Sequence, residues 1–433
     1  MRAARRSRIA AAALALLCLA GTLAGCGTAS GPAGARFLVV GSSGVLDPLA
    51  ITVVGLTPGQ DVVLSARAET VAGPWTSRAV YPVPVSGVVA LGIARPLLAS
   101  YTRPDADGLL WSLDGPSLSQ RQLDQTWAAG AVRIRLFATQ AGKAVAQASI
   151  VREGLGQQSA VRDVYAGDVT QWTGQGAPGG SVFDTTIGRY FSPTPPAEPT
   201  RPAVIVIDGD DGGASGAFLA GAIAASGFPA FVLPAFGPAD QIPGSAAMTV
   251  ESFDAAVTWL ARRPAVDEQR IFVLGSGRAA PLALWFAVNR PTEVFGAIAA
   301  SGPAASLCAS AGGSPLLIDH GRPVDCEDPG RPVSDTTLLP LDRIPGPVLL
   351  ACGTRDELVP DACGWQDAAA LVRGPIPGDV FLRAAGAGHT VSTPPLLPVG
   401  LDGAAPAAAQ ATEDARAVFW SDTLALLRDA SRS

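Results

Sequence analysis

From Pro202 to the end of the chain, short apolar runs alternate with helical patterns, and this alternation constrains the fold more than any other feature. Ala203–Ile207 is a continuous apolar run, as a strand covered on both faces requires. A small-residue helix (Ala214–Ser226) and a strand (Ala230–Leu233) follow it. Val250–Arg263 carries Phe253, Ala256, Val257 and Leu260 at helical spacing. Arg270–Leu274, Gly296–Ala300, Pro347–Cys352 and Val380–Arg383 read as further strands, Pro281–Val288 and Thr412–Ala430 as further helices. Strands that alternate with helices in this way pair mainly in parallel, with helices on both faces. The fold class is α/β.

A different texture precedes it. Between Phe37 and Glu153 the clearest runs are Ile51–Val54, Asp61–Arg67, Val88–Ile93 and Val132–Ala138. Thr57-Pro58-Gly59-Gln60 places Pro and Gly where a type II turn needs them. In Val132-Arg133-Ile134-Arg135-Leu136 apolar and charged residues alternate strictly, the mark of a half-buried strand. Short strands of this kind predict a β-sandwich over residues 45–158. The α/β domain is expected over 175–433, entered through a Gly- and Pro-rich stretch with one possible strand at Thr185–Phe191.

The first residues, Met1-Arg2-Ala3-Ala4-Arg5-Arg6-Ser7-Arg8, precede an apolar run from Ile9 to Leu23. That run is shorter than the roughly 20 residues a membrane-spanning helix needs, and the layout is that of a secretory signal over residues 1–25. Leu23-Ala24-Gly25-Cys26 resembles a bacterial lipobox, which implies cleavage before Cys26 and lipidation of its thiol. Residues 26–44 then form a tether, and the expected address is the extracytoplasmic face of the cell membrane. Removing residues 1–25 takes away four arginines and no acid, moving the net charge from −6 to −10.

Cys18 leaves with the signal and Cys26 is assigned to the lipid, so Cys308, Cys326, Cys352 and Cys363 remain. An even remainder in an oxidising compartment suggests disulfides. Of the three connectivities, Cys308–Cys326 with Cys352–Cys363 closes the shortest loops, each contributing about 3 kcal/mol on the chain-entropy account.

With 48% hydrophobic and 16% charged residues the chain is neither disordered nor a coiled coil. Its negative charge excludes a basic field for nucleic acid. Two histidines in the whole chain, His320 and His389, exclude a multi-histidine metal site, and no metal or cofactor is expected.

Sites in parallel sheets sit in loops at the carboxyl ends of strands. After Ala203–Ile207 comes Asp208-Gly209-Asp210-Asp211-Gly212-Gly213, whose glycines let backbone N–H groups turn inward as an oxyanion hole requires. After Pro347–Cys352 comes Gly353-Thr354-Arg355-Asp356-Glu357, and after Val380–Arg383 comes Ala385-Gly386-Ala387-Gly388-His389. Acid before histidine is the chain order of α/β-hydrolases, in which the carboxylate fixes the imidazole tautomer. Asp356 and His389 are the candidates, with Glu357 as the near substitute for the acid and His320 read as a surface residue. The nucleophile belongs in a tight G-x-S-x-G strand-to-helix turn. Here Ile271-Phe272-Val273-Leu274 leads into Gly275-Ser276-Gly277-Arg278-Ala279, so the slot holds Gly277 and Ser276 stands one residue early.

These residues resemble the acyl-CoA thioesterase and bile acid-CoA:amino acid N-acyltransferase family over roughly residues 45–430. The likeness rests on Gly55-Leu56-Thr57-Pro58-Gly59-Gln60, on Ser100-Tyr101 through Asp107-Gly108-Leu109-Leu110-Trp111-Ser112-Leu113, and on Gly212-Gly213 with Ser226-Gly227-Phe228. Ala235-Phe236-Gly237, the stretch from Phe253 to Trp259-Leu260 and Pro264, and Gly386-Ala387-Gly388-His389 with Pro394-Pro395 complete it. The resemblance implies an immunoglobulin-like β-sandwich followed by an α/β-hydrolase domain, and cleavage of acyl thioesters. It implies His389 as general base, Asp356 as its orienting acid, and N–H groups of Arg278 and the Gly209–Gly213 loop as oxyanion donors. The nucleophile does not carry over, because Gly277 occupies its place.

Two functions are therefore expected. One is an envelope-anchored hydrolase of acyl thioesters or esters in which Ser276 attacks through a distorted bend. The other is a non-catalytic lipoprotein that uses the same fold to bind an acylated ligand or partner. An acyltransferase would need an amine acceptor site that the sequence does not offer.

Overall fold

The computed structural model describes residues 34–157, 159–169, 186–196, 199–209, 215–235, 247–308, 313–328, 337–400 and 406–432. The predicted signal, Cys26, Gly212 and Gly213 lie outside these residues.

Seven antiparallel strands make the first domain. β1 (Arg36–Val40), β2 (Ala50–Val54) and β5 (Val89–Ala90) form one sheet. β3 (Asp61–Thr70), β4 (Gly73–Pro82), β6 (Val132–Gln140) and β7 (Lys143–Arg152) form the other, in the order β4-β3-β6-β7. Alternation along β6 buries Val132, Ile134, Leu136 and Ala138 and exposes Arg133 and Arg135, as the sequence predicts. Gly59 takes φ +73°, the left-handed conformation that the third position of a type II turn needs. The run Val88–Ile93 supplies a strand of only two residues. β1 lies inside the stretch read as tether, where Phe37 and Val39 alternate inward against the sandwich core. Two short helices, α1 (Gly108–Trp111) and α2 (Gln120–Ala128), join the sheets.

The second domain is built on an eight-stranded sheet. Its members are β8 (Ser159–Tyr165), β9 (Thr186–Pro193), β10 (Arg201–Asp208), β11 (Ala230–Pro234), β13 (Val266–Ser276), β14 (Gly296–Ala300), β17 (Val348–Gly353) and β18 (Val380–Ala384). Their order is β8-β9-β11-β10-β13-β14-β17-β18, parallel from β11 to β18, with β8 and β9 antiparallel. This is the mainly parallel sheet that the strand-helix alternation predicts, and β8 begins it ahead of the expected boundary at residue 175. β12 (Met248–Thr249), β15 (Leu317–Asp319) and β16 (Arg322–Pro323) make a small separate sheet.

The helices α3 (Gly216–Ala225), α4 (Val250–Ala261), α5 (Ala280–Asn289), α6 (Ala362–Arg373) and α7 (Pro406–Ala430) cover the large sheet. In β10 the side chains alternate between two cores. Val204 and Val206 belong to the core shared with α3, α7 and the sandwich, while Ile205 and Ile207 belong to the core shared with α4 and α5. Polar contacts join the domains as well. Val399 donates its N–H to the Trp111 carbonyl at 3.1 Å, and the Thr102 N–H and hydroxyl both donate to Gln410. Arg121 reaches Asp208 at 3.2 Å, and buried Asp124 accepts the Ser215 N–H at 2.7 Å.

Both predicted disulfides are present, Cys308–Cys326 and Cys352–Cys363.

Candidate active site

Three loops at the carboxyl end of the parallel strands converge. The first is the bend after β13. Ser276 is the last strand residue, with extended backbone (φ −125°, ψ 148°) and a main chain in register with Ala300 of β14. Gly277 follows with φ +55°, and the chain turns through a 3-10 turn, Gly277–Ala279, into α5. This is the sharp strand-to-helix turn in which hydrolases hold a strained serine at the apex, and glycine adopts that backbone without cost. A Cβ on Gly275 would stand 2.1 Å from the Ala279 carbonyl oxygen, so the bend needs glycine there. A Cβ on Gly209 would come within 3.1 Å of the Ala279 Cβ, which places the end of β10 against the same bend. Arg278 is exposed in the turn.

Ser276 is buried, and its hydroxyl is hydrogen-bonded to the Ser392 hydroxyl at 2.8 Å rather than to the imidazole of His389. The sequence offered Ser276 as the nucleophile one position early. In the folded chain it ends a strand, and the apex is bare.

The acid loop follows β17. The Asp356 Oδ1 accepts the backbone N–H groups of Leu358 (3.0 Å) and Val359 (2.8 Å), which fixes the carboxylate within its own loop. Both its oxygens lie 2.9 Å from the His389 Nδ1. Asp356 is 4% exposed and His389 2%, so the pair is shielded from water and its attraction is little screened. A buried carboxylate in this position holds the imidazole tautomer protonated on Nδ1. Glu357, the near substitute, is exposed.

The histidine loop is tied from three sides. Toward the sheet, the Arg355 N–H donates to the Ala387 carbonyl, and a Cβ on Gly353 would meet the Gly388 carbonyl at 2.2 Å. From β14, the Ser301 hydroxyl donates to the His389 carbonyl at 2.5 Å, and Ser301 holds φ +50° to do so. From α7, Thr412 accepts the Gly388 N–H at 3.0 Å. The fully buried Arg416 donates to the Thr390 carbonyl, the Thr390 hydroxyl and the Leu397 carbonyl. Glu413, also buried, accepts the Leu396 N–H at 2.7 Å, and burial pushes its carboxyl up to about 8 against the opposing pull of Arg416.

Ser301, Ser392, Glu413 and Arg416 were not found from the sequence. His320 sits in the turn between β15 and β16, 2.7 Å from Asp319, and its ring is exposed. Beside α5, a recess is lined by Pro281, Leu282, Trp285, Leu316 and Cys326.

Residues 47–164 match the family model described as the acyl-CoA thioester hydrolase/BAAT N-terminal region. No curated protein matches the chain. Similar solved structures include a dienelactone hydrolase-like promiscuous phosphotriesterase from metagenomic libraries, 15% identical, covering 63% of this chain and 98% of that one, with a TM-score of 0.39. Another is the esterase domain of a Rhodothermus marinus protein, 15% identical, covering 61% of this chain and 99% of that one, TM-score 0.35. A third is a hyperthermophilic esterase of the archaeon Pyrobaculum calidifontis, 17% identical, covering 61% and 84%, TM-score 0.35. None of these likenesses says what the present chain acts on.

Proposed function

We propose that this chain, whose residues 47–164 match the acyl-CoA thioester hydrolase/BAAT N-terminal region model, is an envelope-anchored relative of ester and thioester hydrolases. In this reading it binds an acylated small molecule in front of His389 without forming an acyl-enzyme. The observation that carries the reading is Gly277 at the apex of an otherwise intact bend. A glycine has no side chain with which to attack a carbonyl, and the hydroxyl of the preceding Ser276 is engaged by Ser392.

A second reading has its own support. The buried Asp356–His389 pair is costly to desolvate, and a hydrolase would use it directly. In that case Ser276 leaves Ser392 and attacks, with Arg278 and the loop that carries Gly212 and Gly213 stabilising the oxyanion.

A p-nitrophenyl ester assay on the form starting at Gly27, beside Ser276→Ala and His389→Ala, separates the two. The binding reading expects equal background rates in all three and no fluorophosphonate labelling. It also expects calorimetric binding of a non-hydrolysable acyl thioether. Labelling that vanishes in Ser276→Ala would overturn it in favour of the hydrolase. The anchor has a separate test, in which labelling by a palmitate analogue disappears in Cys26→Ser.

A further inference from the structure

The outer face of the sheet β1-β2-β5 has no protein covering it among the described residues, although it is largely apolar. Leu38 (41% exposed) and Val40 (70% exposed) project from β1, Ala50 and Val54 from β2, and Val88 and Ala90 from β5 and its approach. They lie in rows across the strands, because Leu38 stands opposite Thr52 and Thr52 opposite Ala90, while Val40 stands opposite Ala50. Arg36 and Thr52 are the polar members of this face. Exposed valine and leucine in adjoining rows form a patch of the kind that marks an interaction surface, unlike the single exposed apolar residues common on any protein.

The chain itself indicates what covers this patch. β1 begins at Arg36, and nine residues separate it from Cys26, the residue whose flanks resemble a lipidation signal. Nine residues span at most about 30 Å when fully extended. The lipid would therefore enter the bilayer within about that distance of the strand that carries Leu38 and Val40. A short link of this kind gives the second contact an effective concentration on the order of millimolar, so a weak apolar patch suffices.

We infer that the outer face of β1-β2-β5 docks on the lipid surface when the chain is anchored through Cys26. This rests on the lipoprotein reading. The contact is apolar, since Arg36 is the face's sole charge and the mature chain is acidic. Docking therefore does not depend on anionic lipid and survives added salt.

The test uses the chain from Cys26, in which the four other cysteines are paired and Cys26 is the one free thiol. Coupling it to maleimide lipid in phosphatidylcholine nanodiscs replaces the biological acylation, so failure here is distinguishable from absence of lipidation in cells. Gadolinium-chelating lipid then broadens methyl signals that approach the headgroups. The expected result is loss of the Leu38, Val40 and Val88 methyl signals while Leu371, 84% exposed on α6, keeps its own. Leu38→Ser with Val40→Ser should abolish that difference. Equal broadening at Leu371 and Val40 would overturn the inference. So would concentration-dependent shifts of the same methyls without lipid, which would assign the face to a second copy of the chain.

Discussion

The hydroxyls of Ser276 and Ser392 are hydrogen-bonded at 2.8 Å, and this contact ties the end of β13 to the loop that carries His389. Trp420 secures the same loop by donating its indole N–H to the Ser392 carbonyl at 2.8 Å. The serine nearest the bend thus serves as a strut. Ser276→Ala should cost about 1 kcal/mol by leaving the Ser392 hydroxyl unpaired. Under the binding reading it changes no turnover, and denaturant unfolding beside an ester assay checks both.

Gly277→Ser places a hydroxyl at the apex of a bend whose acid and histidine are already paired. A non-glycine residue at φ +55° costs roughly 1–2 kcal/mol, which should appear as a lowered denaturation midpoint. Ester hydrolysis should rise by on the order of 10²-fold or more over the parent, together with new fluorophosphonate labelling, since removing such a serine elsewhere costs far more than that. Unchanged rates in a folded variant would show that Asp356 and His389 no longer form a working site.

Asp356→Ala removes the acceptor of two backbone N–H groups and of the imidazole at once. Leaving those donors unpaired should cost about 1–3 kcal/mol. With only two histidines in the chain, imidazole NMR resolves His389 directly, and the variant should lose its Nδ1 proton signal.

Cys352 lies one residue before the end of β17 and Cys363 in the first turn of α6, so their disulfide closes the loop that bears Asp356. The double variant Cys352→Ala/Cys363→Ala should lose about 3 kcal/mol and broaden the His389 signal. Cys308→Ala/Cys326→Ala, remote in sequence from the acid loop, should leave that signal sharp.

Glu413 titrates upward, to about 8, because burial disfavours its charge more than Arg416 and the Leu396 N–H favour it. In the unfolded chain its value is about 4.5, so the folded state holds the extra proton between these limits. Its contribution to stability is complete below pH 4.5 and is lost as pH rises through about 8. Asp107, pushed up to about 6 by burial, adds the same sign from about 3.8 upward. Stability measured by urea should therefore fall across this range, and Glu413→Gln, which keeps the acceptor for Leu396, should flatten its upper part.

Much of this was legible in the chain. Strict alternation in Val132–Leu136 and unbroken apolar runs such as Ala203–Ile207 reflect one-sided and two-sided burial, which hydrophobic pattern reports directly. Asp356 and His389 were legible because each follows a parallel strand in the order that the fold uses. Arg416 and Glu413 were not, since nothing in a 25-residue helix distinguishes a guanidinium facing water from one facing the histidine loop.

Local chemistry determined by itself that the bend holds Gly277 and that its apex carries no nucleophile, because residue type is fixed before folding. It also determined the strand-helix rhythm and the cysteine pairs that close short loops. The tertiary structure alone decided where the Ser276 hydroxyl points, since its partner lies 116 residues away. It likewise decided that the outer face of β1-β2-β5 stays uncovered among the described residues. Both depend on which distant segments come to lie against one another, and a contact between distant segments leaves no periodic trace in either.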